Sequence, residues 1–312
     1  MRERRRPLIV TTPVEYEVAT DDGVTLYAEL LGKPSSPVTV VLCHGYGLNM
    51  HSWCFQRAAL ASRARVLAWD QRGHGRSGFG EPGSGTIDQL GRDLYQVITQ
   101  LAPTGPVVLV GHSMGGMTIM ALAEQFPQLF GERIIAVALL ATSAGPVSPS
   151  LGLPIGGAAI QQAAHWAAER VSPGLIPLLR LVRRLPGYRE VAREVTKRVA
   201  FASSVSPAVV DLLVDMLHST PLHAAAEVFR QFQPHDRRAA LTVLQRVSTL
   251  VMVGDNDLIT PPKDSAAIAE AIPGADLVVL PDCGHALILE RAEQVNEWLI
   301  PLLEPALAKH VS

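Results

Sequence analysis

The chain has 312 residues, 48% of them hydrophobic and 18% charged, which suits a soluble globular protein with one large domain or two small ones. A formal net charge of −2 at pH 7 carries no polyanion-binding signature, so no nucleic-acid partner is expected. No uncharged apolar stretch is long enough to cross a bilayer, and Leu8–Val10, behind the basic tip Arg2, Arg4, Arg5 and Arg6, is too short for a secretory signal.

In chain order, Val14–Thr20 and Val24–Leu31 alternate apolar and polar residues around Asp21-Asp22-Gly23, a hairpin signal. Val38–Leu42 is apolar except for Thr39, as expected of a strand buried on both faces. Val66–Trp69, Val107–Val110, Ile134–Leu140, Leu250–Val253 and Leu277–Leu280 repeat that pattern. Helical segments are predicted between them, at about Ser52–Ala61, Ile87–Leu101, Met114–Gln125, Pro262–Ala271 and Ala292–Leu299. Such alternation implies an α/β fold: a mostly parallel, eight-stranded sheet flanked by helices, with the opening hairpin as its antiparallel edge.

One region breaks the alternation. From Gly145 to about Ala240 no buried-strand pattern occurs, and short helix-like stretches are punctuated by nine prolines from Pro146 to Pro234. A connection of this length must carry its own structure. The expected organisation is a core of residues 1–144 and 241–312 with a helical cap, 145–240, inserted between two strands.

Gly111-His112-Ser113-Met114-Gly115 directly follows the strand Val107–Val110 and opens an apolar helical pattern. This is G-x-S-x-G in its strand–turn–helix setting. A turn that tight strains the serine, requires small residues two positions to either side, and leaves the Met114 N–H at the helix start to bind an oxyanion. A dinucleotide loop would need glycine in place of Ser113, and a phosphate loop of the Walker type would need lysine.

Taken together, His44-Gly45-Tyr46-Gly47, Asp70–Ser77 (DQRGHGRS), Gly111–Gly116, Gly254-Asp255-Asn256-Asp257 with Pro261 and Pro262, and Gly284-His285 resemble the α/β-hydrolase fold family in its expected order. The resemblance is greatest to its serine esterase, monoacylglycerol-lipase and meta-cleavage-product-hydrolase branch. It covers roughly residues 14–145 and 240–308 and leaves the cap without a recognised motif. It implies Ser113 as nucleophile and Tyr46, after His-Gly, as the second oxyanion-hole N–H.

Serine needs a base, and His285 lies beyond the C-terminal end of the last predicted strand, where open α/β sheets place their ligands. His44 and His74 are expected to brace loops, and His112 to leave the turn in another direction. The family pattern places the orienting acid at Asp257, with Asp255 as its competitor; Asp70 is expected in an ion pair or a loop brace. Residues 134–168 contain no Asp or Glu, so the acid cannot come from the loop after Ile134–Leu140. The order Ser…Asp…His matches the fold.

The implied reaction is hydrolysis of a small-molecule carboxylic ester with an apolar acyl or alkyl group, through an acyl-enzyme and with no cofactor or metal. A thioesterase, an acyltransferase or a C–C bond hydrolase would use the same triad, and a non-catalytic binding protein could share the fold. Leu151–Ile155, Leu175–Val182 and Val209–Leu217 predict an apolar pocket under the cap. The arginine excess over Arg170–Arg198 reads as a solvated helix face, the sharper alternative being peripheral contact with an anionic lipid surface or an acyl-carrier phosphate. Cys43, Cys54 and Cys283 show no metal spacing and no even disulfide set, and are expected as reduced thiols in the cytoplasm.

Overall fold

A computed structural model describes residues 12–147, 181 and 183–308. Eight strands form one sheet: β1 (Val14–Ala19), β2 (Thr25–Gly32), β3 (Thr39–Cys43), β4 (Arg65–Trp69), β5 (Val107–His112), β6 (Ile134–Leu140), β7 (Ser248–Gly254) and β8 (Asp276–Leu280). Their spatial order is β1-β2-β4-β3-β5-β6-β7-β8. The β1–β2 hairpin joins antiparallel to β4, and all later pairings are parallel.

Alternation along the central strands sends side chains into two cores. Val41, Leu109, Val137 and Val251 face α2 (Ile87–Leu101) and α3 (Met114–Gln125). Val40, Leu42, Val108, Val110 and Met252 face Trp53, Leu60 of α1 (Cys54–Leu60), and Leu299 of a late helix, Ala292–Leu299. Helix α2 starts where the Thr86 side chain accepts from the Gln89 N–H, and it buries Ile87, Leu90, Leu94, Val97 and Ile98 at helical spacing. Each such leucine or isoleucine contributes roughly 2 kcal/mol of burial.

Two predicted elements differ in detail. In place of one helix over Ser52–Ala61, a tight turn at Met50–Trp53 precedes α1, because the Asn49 side chain accepts from the His51 N–H and starts the turn early. Strand β8 is not buried on both faces: it is the sheet edge, and Leu277 and Val279 are 42% and 47% exposed. An outermost strand has a neighbour on one side only, so its outer row is incompletely covered.

Between β6 and β7 the described residues form three helices longer than a single turn, α4 (Tyr188–Ala200), α5 (Pro207–Ser219) and α6 (Leu222–Phe229). They reach the loops at the C-terminal ends of the strands. Thr220 Oγ1 donates to the Gly47 carbonyl at 3.1 Å, the Tyr46 hydroxyl to the Ala225 carbonyl at 2.9 Å, and the Ala286 N–H to the Ala200 carbonyl at 2.8 Å. The basic tip, Leu151–Ile155 and all of Leu175–Val182 except Leu181 lie outside the described residues. The remaining helices are α7 (Pro262–Ala271) and α8 (Ala292–Leu299), apart from single turns.

Candidate active site

β5 ends at His112 and α3 begins at Met114, so Ser113 alone makes the turn, at φ 53° and ψ −118°. A non-glycine residue there stores about 1–3 kcal/mol of strain. The surroundings hold it. The Ser113 N–H donates to the Leu140 carbonyl at 2.9 Å, and its own carbonyl accepts from Thr142 Oγ1 at 2.8 Å and from the Gly116 N–H at 2.9 Å. The flanking glycines are a packing requirement: a Cβ on Gly111 would lie 2.5 Å from the Gly115 oxygen, and one on Gly115 would lie 2.0 Å from the Cys43 oxygen.

The loop after β8 carries His285, which is 8% exposed. The Gly284 N–H donates to Glu290 Oε2 at 2.7 Å, anchoring the loop. His285 Nδ1 lies 2.8 Å from Asp257 Oδ2 and 3.1 Å from Oδ1, which fixes Nδ1 as the donor and leaves Nε2 as the acceptor. The Asp257 carboxylate also accepts from the Ile259 N–H at 2.8 Å, the Thr260 N–H at 2.9 Å and Thr260 Oγ1 at 2.9 Å. Burial alone would raise its pKa. The adjacent imidazole and these donors outweigh burial and hold the carboxyl below its usual range.

Thr260 was not singled out in the sequence. The signal available for it is an aspartate followed at the second and third positions by N–H donors, ahead of Pro261-Pro262, an Asx-type turn.

The competing acid occupies a different position. Asp255 is exposed, and its Oδ1 accepts from the Cys283 N–H at 3.2 Å and Asn256 Nδ2 at 2.7 Å. The Cys283 N–H foremost lowers its pKa, and it does not touch His285. Asp70 is a loop brace: Oδ1 accepts from the Met50 N–H at 2.8 Å and Oδ2 from the Arg76 N–H at 2.9 Å. Arg72 in the same loop pairs instead with Asp93 at 2.6 Å and Asp22 at 2.8 Å. Asp21 stands beside those two carboxylates in a grouping that metal ligands also adopt, but Arg72 already supplies the cation for Asp22 and Asp93, and Arg92, at 3.5 Å, for Asp21.

His44, His74 and His112 are buried and committed to backbone. His44 Nε2 accepts from the Gln71 N–H at 2.9 Å, and His74 Nε2 from the Gly47 N–H at 3.0 Å. His112 turns its Nε2 onto the His285 carbonyl at 2.9 Å, with ring centroids 5.0 Å apart, and so ties the Ser113 turn to the His285 loop. Ser113, 9% exposed, has no hydrogen bond from its Oγ to His285 among the described residues. The structure therefore brings Asp257 and His285 into contact and sets Ser113 on the adjoining loop. Hydrogen bonds of this kind commonly tighten only when substrate binds.

Gly45 packs against the same turn, where an added Cβ would sit 3.3 Å from Ser113 Cβ. Beyond it, the Tyr46 ring meets Phe232 edge-on at 5.3 Å and its hydroxyl is spent on Ala225. Only its main chain is available to the site. Neither the Tyr46 N–H nor the Met114 N–H has a hydrogen-bond acceptor among the described residues. Cys283 is fully buried, and burial pushes its thiol far up; Cys43 is likewise pushed up to about 12. Neither thiol is poised to ionise.

A strained serine, an imidazole oriented by a buried carboxylate and two unpaired N–H groups are the parts needed to attack a carbonyl and hold the resulting oxyanion. No helix among the described residues is long and apolar enough to cross a membrane.

Comparison with known proteins agrees with the fold. The chain is 32% identical over 287 residues, 88% of its length, to the dihydrolipoyllysine-residue acetyltransferase component of the acetoin cleaving system of Pseudomonas putida, and it spans 65% of that relative. Among solved structures, a thermophilic esterase from Thermogutta terrifontis superposes with TM-score 0.69 at 27% identity, covering 95% of this chain and 99% of that one. The enol-lactonase of Burkholderia xenovorans LB400 gives 0.70 at 27% identity, covering 93% and 100%. The sequence profile of the alpha/beta hydrolase family matches residues 40–298, from β3 to the last helix of the core, and the chain belongs to that family.

Proposed function

We propose that this protein is a serine carboxylester hydrolase acting on an ester with an apolar acyl or alkyl group, in the manner of an esterase or monoacylglycerol lipase. The observation that carries the reading is the His285–Asp257 contact, 2.8 Å long, held by a hydrogen bond against the loop of a strained serine. Ser113 attacks the acyl carbon while His285 Nε2 takes its proton. The Met114 and Tyr46 N–H groups receive the oxyanion, each worth about 3 kcal/mol of barrier. His285 protonates the departing alcohol, then takes a proton from the water that releases the acyl group. Asp257 keeps the imidazole in the required tautomer and stabilises its charged form. No step calls on a cofactor.

Esterase and lactonase neighbours support ester chemistry. The acetyltransferase relative favours a second reading, transfer of the acyl group to an acceptor other than water. Three free cysteines support a reducing compartment, the cytoplasm.

p-Nitrophenyl esters of graded chain length, run beside acyl-CoA thioesters and monoacylglycerols, test the proposal. Ester turnover that disappears in Ser113→Ala is expected. Turnover retained by that variant refutes the assignment, and preference for thioesters or alcohol acceptors replaces hydrolysis with the second reading.

A further inference from the structure

Among the described residues, the arginines on and just ahead of α4 divide into two groups. On α4, Arg189 pairs with Asp215 at 2.6 Å, Arg193 with Asp211 at 3.1 Å, and Arg198 with Glu194 at 3.0 Å. Arg183 and Arg184, just ahead of α4, face no carboxylate among the described residues. They line an open cleft of about 290 Å³ together with His218, Ser219, Thr220 and His223, and no acidic residue among the described residues lines it.

The cleft is held in shape. The Arg183 guanidinium donates to the carbonyls of His218, Thr220 and Leu217 at 3.1, 3.3 and 3.4 Å. Carbonyl dipoles orient a guanidinium without neutralising it. The His218 ring rests on Tyr188 at 5.9 Å, and the His223 ring meets Phe79 edge-on at 5.5 Å. The cleft also adjoins the site already described. Thr220, on its floor, bonds the Gly47 carbonyl one residue from Tyr46, and the Arg183 charge is near enough to act on the Tyr46 phenol.

We propose that this cleft is a subsite for an oxyanion, a terminal carboxylate or phosphate carried by the substrate whose acyl carbon reacts at Ser113. Two uncompensated guanidiniums repel a cation, and a neutral group would leave their charge unanswered. Guanidinium and imidazole donors together match the fork of acceptors that carboxylate and phosphate present. The substrate class becomes an ester with an apolar chain ending in an anion. This rests on the reading of Ser113 as nucleophile.

The test compares p-nitrophenyl half-esters of dicarboxylic acids of graded length, and their phosphonate-ended counterparts, with methyl-capped neutral analogues. The readout is the ratio of kcat/KM, anionic over neutral. At one chain length a ratio of about tenfold or more is expected, falling toward unity in Arg184→Gln and His223→Gln and with added inorganic phosphate. Which series gives the larger ratio separates carboxylate from phosphate. A ratio near unity at every length, or one indifferent to both substitutions, overturns the subsite while leaving the esterase reading intact. Should no ester turn over, the esterase reading fails, and titration of the wild-type protein with inorganic phosphate decides the cleft alone. Saturable shifts of the His218 and His223 ring resonances, weakened in Arg184→Gln, uphold it; unmoved resonances overturn it.

Discussion

Asp257 and Asp255 stand two residues apart with similar chemistry, and their hydrogen bonds give them different work. Asp257 holds the imidazole; Asp255 holds the turn below it. Asp257→Asn offers Nδ1 a donor in place of an acceptor and favours the wrong tautomer, so a fall in kcat on the order of 10³–10⁴-fold is expected. Asp255→Asn should stay within a few-fold, since its amide oxygen can still accept from Cys283. Parallel steady-state assays decide it, and a larger loss in Asp255→Asn exchanges the roles. His112 supports the same histidine from behind. His112→Phe keeps the ring packed near Trp53 but leaves the His285 carbonyl without its donor, a cost of about 1–3 kcal/mol in urea unfolding. No loss of stability would mean that this bond contributes nothing to the loop.

The strand-to-helix turn is tight enough that its neighbours have no room for a side chain. A Cβ on Gly115 meets the backbone oxygen of Cys43, on β3, so the clash cannot be relieved by rotating a side chain. Gly115→Ala should cost about 3 kcal/mol or more. Gly145→Ala, where nothing among the described residues lies within 4 Å of the added Cβ, should stay within about 0.5 kcal/mol. Thermal unfolding of both variants checks the pair, and equal melting would contradict the geometry. At this scale the first two strands were legible as alternating runs around a turn, the later ones as apolar runs bounded by turn residues, and the nucleophile turn because Gly111 and Gly115 are sterically obligatory. The exposed rim of β8 was not legible. Leu277 and Val279 look like any buried pair until the sheet order puts them at the edge, and that order is set by crossovers which local periodicity does not encode. Thr260 escaped for a related reason: its hydroxyl acquires meaning only once Asp257 is seen to face His285.

Across the whole molecule, His44, His74, His112 and His235 are buried in the neutral state. Burial lowers His44 and His235 to about 4, and His74 and His112 to about 3, from an ordinary 6.5. The unfolded chain therefore takes up protons below pH 6.5 that the folded chain refuses. The stability these groups supply is complete above that pH and drains away as pH falls toward 4, by roughly 1.4 kcal/mol per pH unit for each histidine. A urea midpoint lower at about pH 5 than at about pH 7.5 is expected; an unchanged or higher midpoint would contradict histidines buried in the neutral state. One side of the sheet is where the loops after β3, β5, β7 and β8 meet, bringing residues 46, 113, 257 and 285 into one region. Whether that convergence makes Ser113 reactive is read most directly by peptide mapping after treatment with a fluorophosphonate. A covalent adduct on Ser113 in the wild-type chain, lost in His285→Ala, is expected. An adduct confined to another residue, or none on a folded protein that still cleaves esters, would contradict it.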